Sequence, residues 1–240
     1  MRAFVLSGGG NRGALQVGAL QVLLENGIRP EMLVGASAGA INAAFLAADP
    51  TPSGAHKLGE MWQQVTKEDV YPGGPLRVTW HLLTRRDSLY PSENFRAFLE
   101  ANAPSGVHFF RQLAVHLYIV ATDLATGRLY LFGEDPEESL LEAIMASIAI
   151  PPLFPPWPHR GRLLVDGGDE TVLYLLITRN IAFSAVVTDS NVCLLPAGLR
   201  RAGQQGRGHR LHPGLRREEG VPALAPLFFH LERGRIGSGD

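Results

Sequence analysis

One serine in this chain of 240 residues sits where a nucleophile would. Ser37 lies in Gly35-Ala36-Ser37-Ala38-Gly39, after the apolar pair Leu33-Val34 and before a run of small residues over 38–48 that reads as a helix. A strand that enters a helix through Gly-x-Ser-x-Gly makes a sharp turn and lifts the serine Oγ clear of the backbone. Glycines flank the serine because the turn is strained and its sides pass close to neighbouring elements. The helix that follows aims its N-terminal N–H groups and positive dipole end at the place where negative charge develops in acyl transfer. The same five residues also fit a plain Gly/Ala-rich strand-to-helix turn, so the rest of the chain has to decide between the two.

A second glycine cluster, Gly8-Gly9-Gly10-Asn11-Arg12-Gly13, falls between an apolar run at 2–7 and a helical pattern at 14–25. Its N–H groups can converge on an anion. A dinucleotide loop and an oxyanion hole are the two functional readings. The dinucleotide reading expects an acidic residue at the end of the second strand, where this chain has Gly35-Ala36-Ser37. A nucleoside triphosphate loop is disfavoured because no Gly-Lys-Ser/Thr follows the glycines. Both glycine motifs follow adjacent strands, so the donors and the serine share the carboxyl end of one sheet.

A serine nucleophile needs a base. The histidines are His56, His81, His108, His116, His159, His209, His212 and His230, and none lies in a recognisable catalytic loop. A hydrolase triad in the order Ser, Asp/Glu, His would have to draw on His209, His212 or His230. Asp166 is the stronger candidate: it ends a short strand and is followed by Gly167-Gly168, which let the backbone come close to another element. Asp-Gly is above all a turn signal. Asp123 has a similar placement and reads as structural or supporting.

The elements that must position these groups follow from periodicity. Strands are expected at 2–7, 31–35, 113–121, 128–132 and 162–165, and helices at 14–25, 38–48, 56–66, 78–83, 92–102 and 137–147. Ser92 is a candidate N-cap, and the acidic start of the last helix complements its dipole. Strand, glycine loop, helix and strand form a βαβ unit within the first forty residues. Thr126-Gly127 suits a hairpin turn. Trp62, Trp80, Leu82, Leu83 and Phe95 read as core, with an acyl-chain groove or cap as the alternative. One or two strands fit 171–187. Beyond 199 the chain is rich in Arg, Gly and Pro, lacks lysine and shows weak periodicity.

Composition narrows the class. A hydrophobic content of 45% with 19% charged residues describes a chain able to bury a large core. A formal net charge of −1 argues against a nucleic-acid partner. Cys193 is the sole cysteine, which excludes an internal disulfide and a cysteine zinc site and fits a reducing compartment. The early glycines interrupt any secretory leader, and no segment reaches the roughly 20 apolar residues that span a bilayer. A cytoplasmic location is expected.

The glycine loop at 8–13, the elbow at 35–39, Ala146-Ser147-Ile148-Ala149-Ile150-Pro151 and Asp166-Gly167-Gly168 together resemble, in order, the motifs of the patatin-like phospholipases, a family of serine lipid acyl hydrolases. The similarity covers roughly residues 3–168. The resemblance implies an α/β fold, a three-layer α/β/α sandwich with a mainly parallel central sheet. It implies a dyad of Ser37 and Asp166 without histidine, and an oxyanion hole from Gly8, Gly9, Gly10, Arg12 and Gly13. Gly35, Gly39, Gly167 and Gly168 would be the motif-flanking glycines. Neither metal nor cofactor is implied. The partner is a lipid or ester substrate, with transient contact to a membrane surface. The family's Asn-x-Pro after Asp-Gly-Gly is replaced by Asp169-Glu170-Thr171-Val172-Leu173-Tyr174. Residues 1–170 are therefore expected to form the catalytic core, and 171–240 a divergent or frame-shifted segment, partly irregular. A catalytically impaired lipid-binding or regulatory protein and a Ser-His-Asp esterase are the alternatives.

Overall fold

The first strand is buried at every position, as expected of a strand covered on both faces at the centre of a parallel sheet. In the computed structural model, residues 2–73, 88–104 and 106–168 are described, with the backbone of two further strands at 185–187 and 192–194. The strands are β1 (Ala3–Leu6), β2 (Met32–Ala36), β3 (His116–Asp123), β4 (Leu129–Phe132), β5 (Trp157–His159), β6 (Arg162–Asp166), β7 (Ala185–Val187) and β8 (Val192–Leu194). The helices are α1 (Gly13–Glu25), α2 (Ala38–Ala48), α3 (Pro52–Gln64), α4 (Lys67–Val70), α5 (Glu93–Asn102) and α6 (Leu140–Ser147). The expected helix at 78–83, with Trp80, Leu82 and Leu83, lies outside the described residues, as does most of 171–240. The strands of that region that are described, β7 and β8, join the sheet. The described residues belong to one unit, Met1–Gly203.

The sheet is parallel at its centre, where β7, β1, β2 and β3 lie side by side, and antiparallel towards its edges. Its decisive feature is a branch at β3. Residues His116–Val120 of β3 pair with β2, and Ala121–Asp123 pair with β6. Ile119 and Val120 face β4 as well as β2, whereas Ala121 and Thr122 face β4 as well as β6. A strand has only two edges, so β2 and β6 share one of them and run towards each other along it.

The described helices pack their apolar faces into one large core. That core takes Phe4, Leu6, Leu33, Leu117 and Ile119 from the sheet, Leu20 and Leu24 from α1, Ile41 and Leu46 from α2, Leu58 from α3, Leu99 from α5 and Ile144 from α6. The alternate sheet residues Val5, Val34, Ala36 and Val120 form a smaller buried cluster on the opposite face. Among the described residues, the partly buried Tyr118, Leu129 and Leu131 pack against that cluster. α2 is buried along almost its whole length, which its small side chains allow. Among the described residues no helix is long and apolar enough to cross a membrane.

Element boundaries differ from expectation where a cap or a short strand decides them. α3 begins at Pro52 because the Thr51 Oγ1 accepts from the Gly54 N–H (3.1 Å). α6 begins at Leu140, not 137. Ser139 caps it, and Glu138 turns inward to accept the Gly133 N–H (3.1 Å). Ser92 makes no side-chain cap bond. β5 has only three residues with proline at its centre, too short and irregular a pattern for periodicity to reveal.

Asp123 is structural. Its Oδ1 accepts from Ala125 N–H (3.0 Å) and Thr126 N–H (3.2 Å), and its Oδ2 from the Arg162 guanidinium (3.0 Å). Burial pushes the carboxyl up, but these donors outweigh it and hold it below the usual aspartate value. A carboxyl depressed in the folded state stabilises the fold above its unfolded pKa, and that contribution is lost as pH falls through the folded value. Asp123→Ala is therefore expected to lower the midpoint of thermal unfolding at pH 7, with the gap from wild type narrowing in strong acid. Thermal melts of both proteins across pH 2–7 measure this, and a gap that stays constant with pH would contradict it.

Candidate active site

The elbow is built as its sequence requires. β2 ends at Ala36, Ser37 takes φ 53° and ψ −126°, and α2 starts at Ala38. A non-glycine residue in this region costs on the order of 1–3 kcal/mol and persists only where its surroundings over-determine it. Those surroundings are close. A methyl on Gly39 would sit 2.2 Å from the Leu6 carbonyl oxygen, and one on Gly35 would sit 2.6 Å from that of Gly39. Ser37 occupies the N-cap position and its carbonyl accepts from the Ala40 N–H (2.9 Å), but its hydroxyl makes no capping bond. The Oγ is left for the cavity that Ser37 lines.

Asp166 arrives from the other side. It is the last residue of β6 and is paired with Ala121, next along β3 from Val120, the partner of Ala36. The ends of β2 and β6 thus meet on one edge of β3, with Ser37 and Asp166 at the junction. The Gly167 Cα lies over Val120, where a methyl would come within 2.6 Å of the carbonyl oxygen. Gly168, at φ 64°, turns back so that its N–H donates to Asp166 Oδ1 (2.8 Å).

One segment ties both sides together. Ser147, the fully buried last residue of α6, accepts the Ser37 N–H at its Oγ (2.8 Å) and donates the hydroxyl proton to the Val120 carbonyl (2.7 Å). Two residues on, the Ala149 carbonyl accepts the Asp166 N–H (2.9 Å). Residues 146–151 therefore hold the backbones of both Ser37 and Asp166. Sequence reasoning noticed this stretch only as part of a motif and gave Ser147 no task. Its one signal was a serine at the end of an otherwise apolar helix.

The glycine loop lies alongside. Gly8 and Gly13 are buried, Gly9 is half-buried and Gly10 is exposed, with Gly10 at φ 57°. Residues Gly10–Arg12 form a short 3-10 turn before α1. Gly10 and Asn11 line the same cavity as Ser37. The Arg12 N–H donates to the Gly9 carbonyl (3.1 Å), so it closes the turn, and the Gly13 N–H is directed at the carbonyls of Gly10 and Asn11. Of the donors expected from the loop, those of Gly8, Gly9 and Gly10 are the ones not drawn into that closure.

The cavity encloses about 330 Å³ and is overwhelmingly apolar. Ile41, Met61, Phe95, Leu99, Ile148 and Phe154 are prominent in its wall. Trp62 and Phe95 thus belong both to the core and to the cavity wall, a combination that the choice between core and groove did not foresee. None of the described histidines lines it. The His56 Nε2 meets Glu25 Oε1 at 3.0 Å. His159 packs edge-on against Tyr130 and Phe132, and its burial holds it below the ordinary histidine value against the pull of Glu138. His81, His209, His212 and His230 lie outside the described residues. Among the described residues, no three His, Cys, Asp or Glu side chains gather where a metal ion would sit.

The parallel-centred α/β sheet thus carries the serine elbow, the glycine loop and the Asp-Gly-Gly turn in the order of the sequence motifs. The family model described as patatin-like phospholipase matches residues 4–186, and the chain belongs to that family. It is 30% identical over 181 residues to the uncharacterized protein YqhO of Bacillus subtilis, covering 70% of this chain and 61% of that protein. An uncharacterized NTE family protein of Mycobacterium tuberculosis is 32% identical over 170 residues, covering 69% of this chain and 42% of its own. The chain thus spans only part of the length of these relatives. Among solved structures, VipD from Legionella pneumophila aligns with a TM-score of 0.49 at 18% identity, covering 70% of this chain and 46% of that one.

Ser147→Ala is expected to leave the Ser37 N–H and the Val120 carbonyl without their shared partner. Loss of a buried bridging hydroxyl destabilises by about 1–3 kcal/mol. Urea unfolding would measure it, and an unchanged midpoint would show that the hydroxyl bears no part of the strained turn.

Proposed function

We propose that this protein is a serine lipid acyl hydrolase, a phospholipase or esterase that works through Ser37 and Asp166. The observation that supports the reading is the meeting of the β2 and β6 ends, which lead to Ser37 and Asp166, on one edge of β3, with Ser37 in the wall of an apolar cavity. Membership of the patatin-like phospholipase family supports the substrate class. Glycine loop and elbow supply what acyl transfer needs in addition, namely N–H groups where an oxyanion would form.

In the reaction proposed, the fatty-acyl chain of an ester lies along the cavity wall formed by Ile41, Phe95, Leu99 and Phe154. Ser37 Oγ attacks the ester carbonyl carbon and its proton passes to the Asp166 carboxylate. The tetrahedral oxyanion is held by backbone N–H groups of the loop at 8–13, those of Gly9 and Gly10 foremost. Collapse breaks the bond to the alcohol, which leaves with the proton from Asp166, and the acyl group remains on Ser37. Water then gives its proton to the same carboxylate and attacks the acyl-serine, and collapse breaks the bond to Ser37 Oγ, which takes the proton back from Asp166 as the fatty acid leaves. Gly35, Gly39, Gly167 and Gly168 serve by letting the backbones approach. Brief contact with a lipid surface and a cytoplasmic location belong to the same reading.

Ser37→Ala is expected to abolish hydrolysis of a p-nitrophenyl fatty ester and labelling by a fluorophosphonate probe, with an unchanged far-ultraviolet circular dichroism spectrum. Asp166→Asn is expected to lower kcat by about a hundredfold or more, as loss of a positioned general base does. Folded wild-type protein that resists the probe would favour a lipid-binding or regulatory role. Equal losses in His209→Ala or His212→Ala would favour a histidine triad.

A further inference from the structure

Behind the glycine loop lies a buried polar network that the proposed reaction does not use, and of its side chains Trp62 also lines the cavity. Asn42 on α2 is fully buried and Gln16 on α1 is 1% exposed, each on a helix face otherwise given to the core. The Gln16 Nε2 donates to the Ser7 carbonyl (2.8 Å). The Asn42 Nδ2 donates to the Gly13 carbonyl (2.9 Å) and to Gln16 Oε1 (2.9 Å). The Trp62 indole N–H of α3 donates to Asn42 Oδ1 (2.7 Å). The directions are forced. Indole nitrogen only donates and a backbone carbonyl only accepts, so Trp62 fixes which way the Asn42 amide points, and Ser7 fixes that of Gln16.

The two carbonyls gripped are those of Ser7 and Gly13, which bracket the loop at one end and the other. The residue gripping Gly13 is on α2, the helix that opens at Ser37. Trp62 adds a third anchor, since it packs on Gly13 so closely that a methyl there would meet the ring at 2.8 Å. Four glycines among residues 8–13 give the loop little stiffness of its own. Something else must hold its N–H groups at the distance from Ser37 that an oxyanion requires, and misplacement by an ångström is costly in such sites.

We propose that Gln16 and Asn42, oriented by Trp62, are the positioning residues of the oxyanion loop, holding both of its ends in register with the helix that carries Ser37. This rests on the reading of the loop as an oxyanion site. Such a network acts on the transition state more than on substrate binding, so its loss should lower kcat and leave KM nearly unchanged.

The test uses the whole chain and two variants at one position. Gln16→Met keeps the shape and removes the polar group. Gln16→Glu keeps the donor only while its carboxyl is protonated. Hydrogen–deuterium exchange of the amides at 8–13 is measured together with kcat and KM for p-nitrophenyl butyrate and the affinity for an alkyl trifluoromethyl ketone, which adds to a serine as a tetrahedral oxyanion. In Gln16→Met the loop amides are expected to exchange about tenfold faster or more. The kcat should fall roughly tenfold to hundredfold, the scale of a disturbed oxyanion donor. KM should stay within about twofold and the ketone should weaken in parallel with kcat. In Gln16→Glu the ratio of variant to wild-type kcat should fall as pH rises, because ionisation removes the donor to Ser7. Leu24→Ala, a core truncation at the far end of α1, should change neither loop exchange nor kcat below its melting range. Unchanged loop exchange and kcat in an active enzyme would overturn the network's role. Should Gln16→Met fail to fold, a flat pH ratio in Gln16→Glu would do the same. Faster loop exchange in a protein that never acylates would overturn the oxyanion assignment instead.

Discussion

Two strands that end head to head on the same edge of β3 are the constraint on which the rest of the molecule depends. Strand pairing has a fixed register, so the pairing of Ala36 with Val120 and of Asp166 with Ala121 leaves the ends of β2 and β6 no freedom to part. The antiparallel β6 is what makes this possible. A parallel strand would have extended away from the carboxyl end of the sheet, whereas an antiparallel one brings its own carboxyl end back to it. The Val120 carbonyl, at the seam, takes the Ser147 hydroxyl and lies under Gly167. A side chain at Gly167 would wedge the seam open.

A turn as tight as Ser37 needs support from more than its own residues. The support comes in a ring. Leu6 presses on Gly39, Gly35 on the start of α2, and Ser147 takes the Ser37 N–H. Small residues line α2 because the helix must lie against β1 and β2 without separating them, and that closeness brings Asn42 within reach of α1 and α3. The polar network behind the glycine loop is a consequence of the same tight packing. An amide buried this deeply is tolerable because each of its polar atoms has a partner.

What was legible in the sequence follows from this distinction between local and distant requirements. The elbow and the glycine loop could be read because their backbone conformations demand glycine or small residues at fixed spacing, whatever the remainder of the chain does. β1, α1, β2 and α2 could be read from apolar patterns that, on the buried faces of the two helices, only Gln16 and Asn42 interrupt. The branch at β3 could not, because it is a fact of register between segments far apart in sequence. Asp166 was told apart from Asp123, which also ends a strand and was read as structural or supporting, only by the two glycines behind it. Their positions differ: Asp123 accepts from two turn N–H groups and Arg162, whereas Asp166, which accepts the Gly168 N–H, ends β6 where that strand meets the end of β2. Gln16, Asn42 and Ser147 escaped notice because a buried amide or hydroxyl resembles any polar residue of a helix until its partners are known. The one hint was their place on faces otherwise apolar.

For the reaction proposed, these supports share a property that bears on how a carboxylate could serve as base. An aspartate has little intrinsic tendency to take a proton from a serine hydroxyl, so most of the barrier must be met by placement and by stabilisation of the oxyanion. Apart from the Gly168 N–H on Asp166 Oδ1 and the bonds within the buried network, the anchors found here act on the main chain. Ser147 holds the Ser37 N–H, Ala149 the Asp166 N–H, Gln16 the Ser7 carbonyl and Asn42 the Gly13 carbonyl. Backbone anchoring fixes where the reacting groups stand without tying down the Ser37 hydroxyl, which has to move its proton. A histidine between serine and aspartate would relax the demand on placement by supplying a better-matched base. Where none intervenes, precision of the backbone has to take its place, and this fold supplies that precision from the sheet seam and from two buried helix faces.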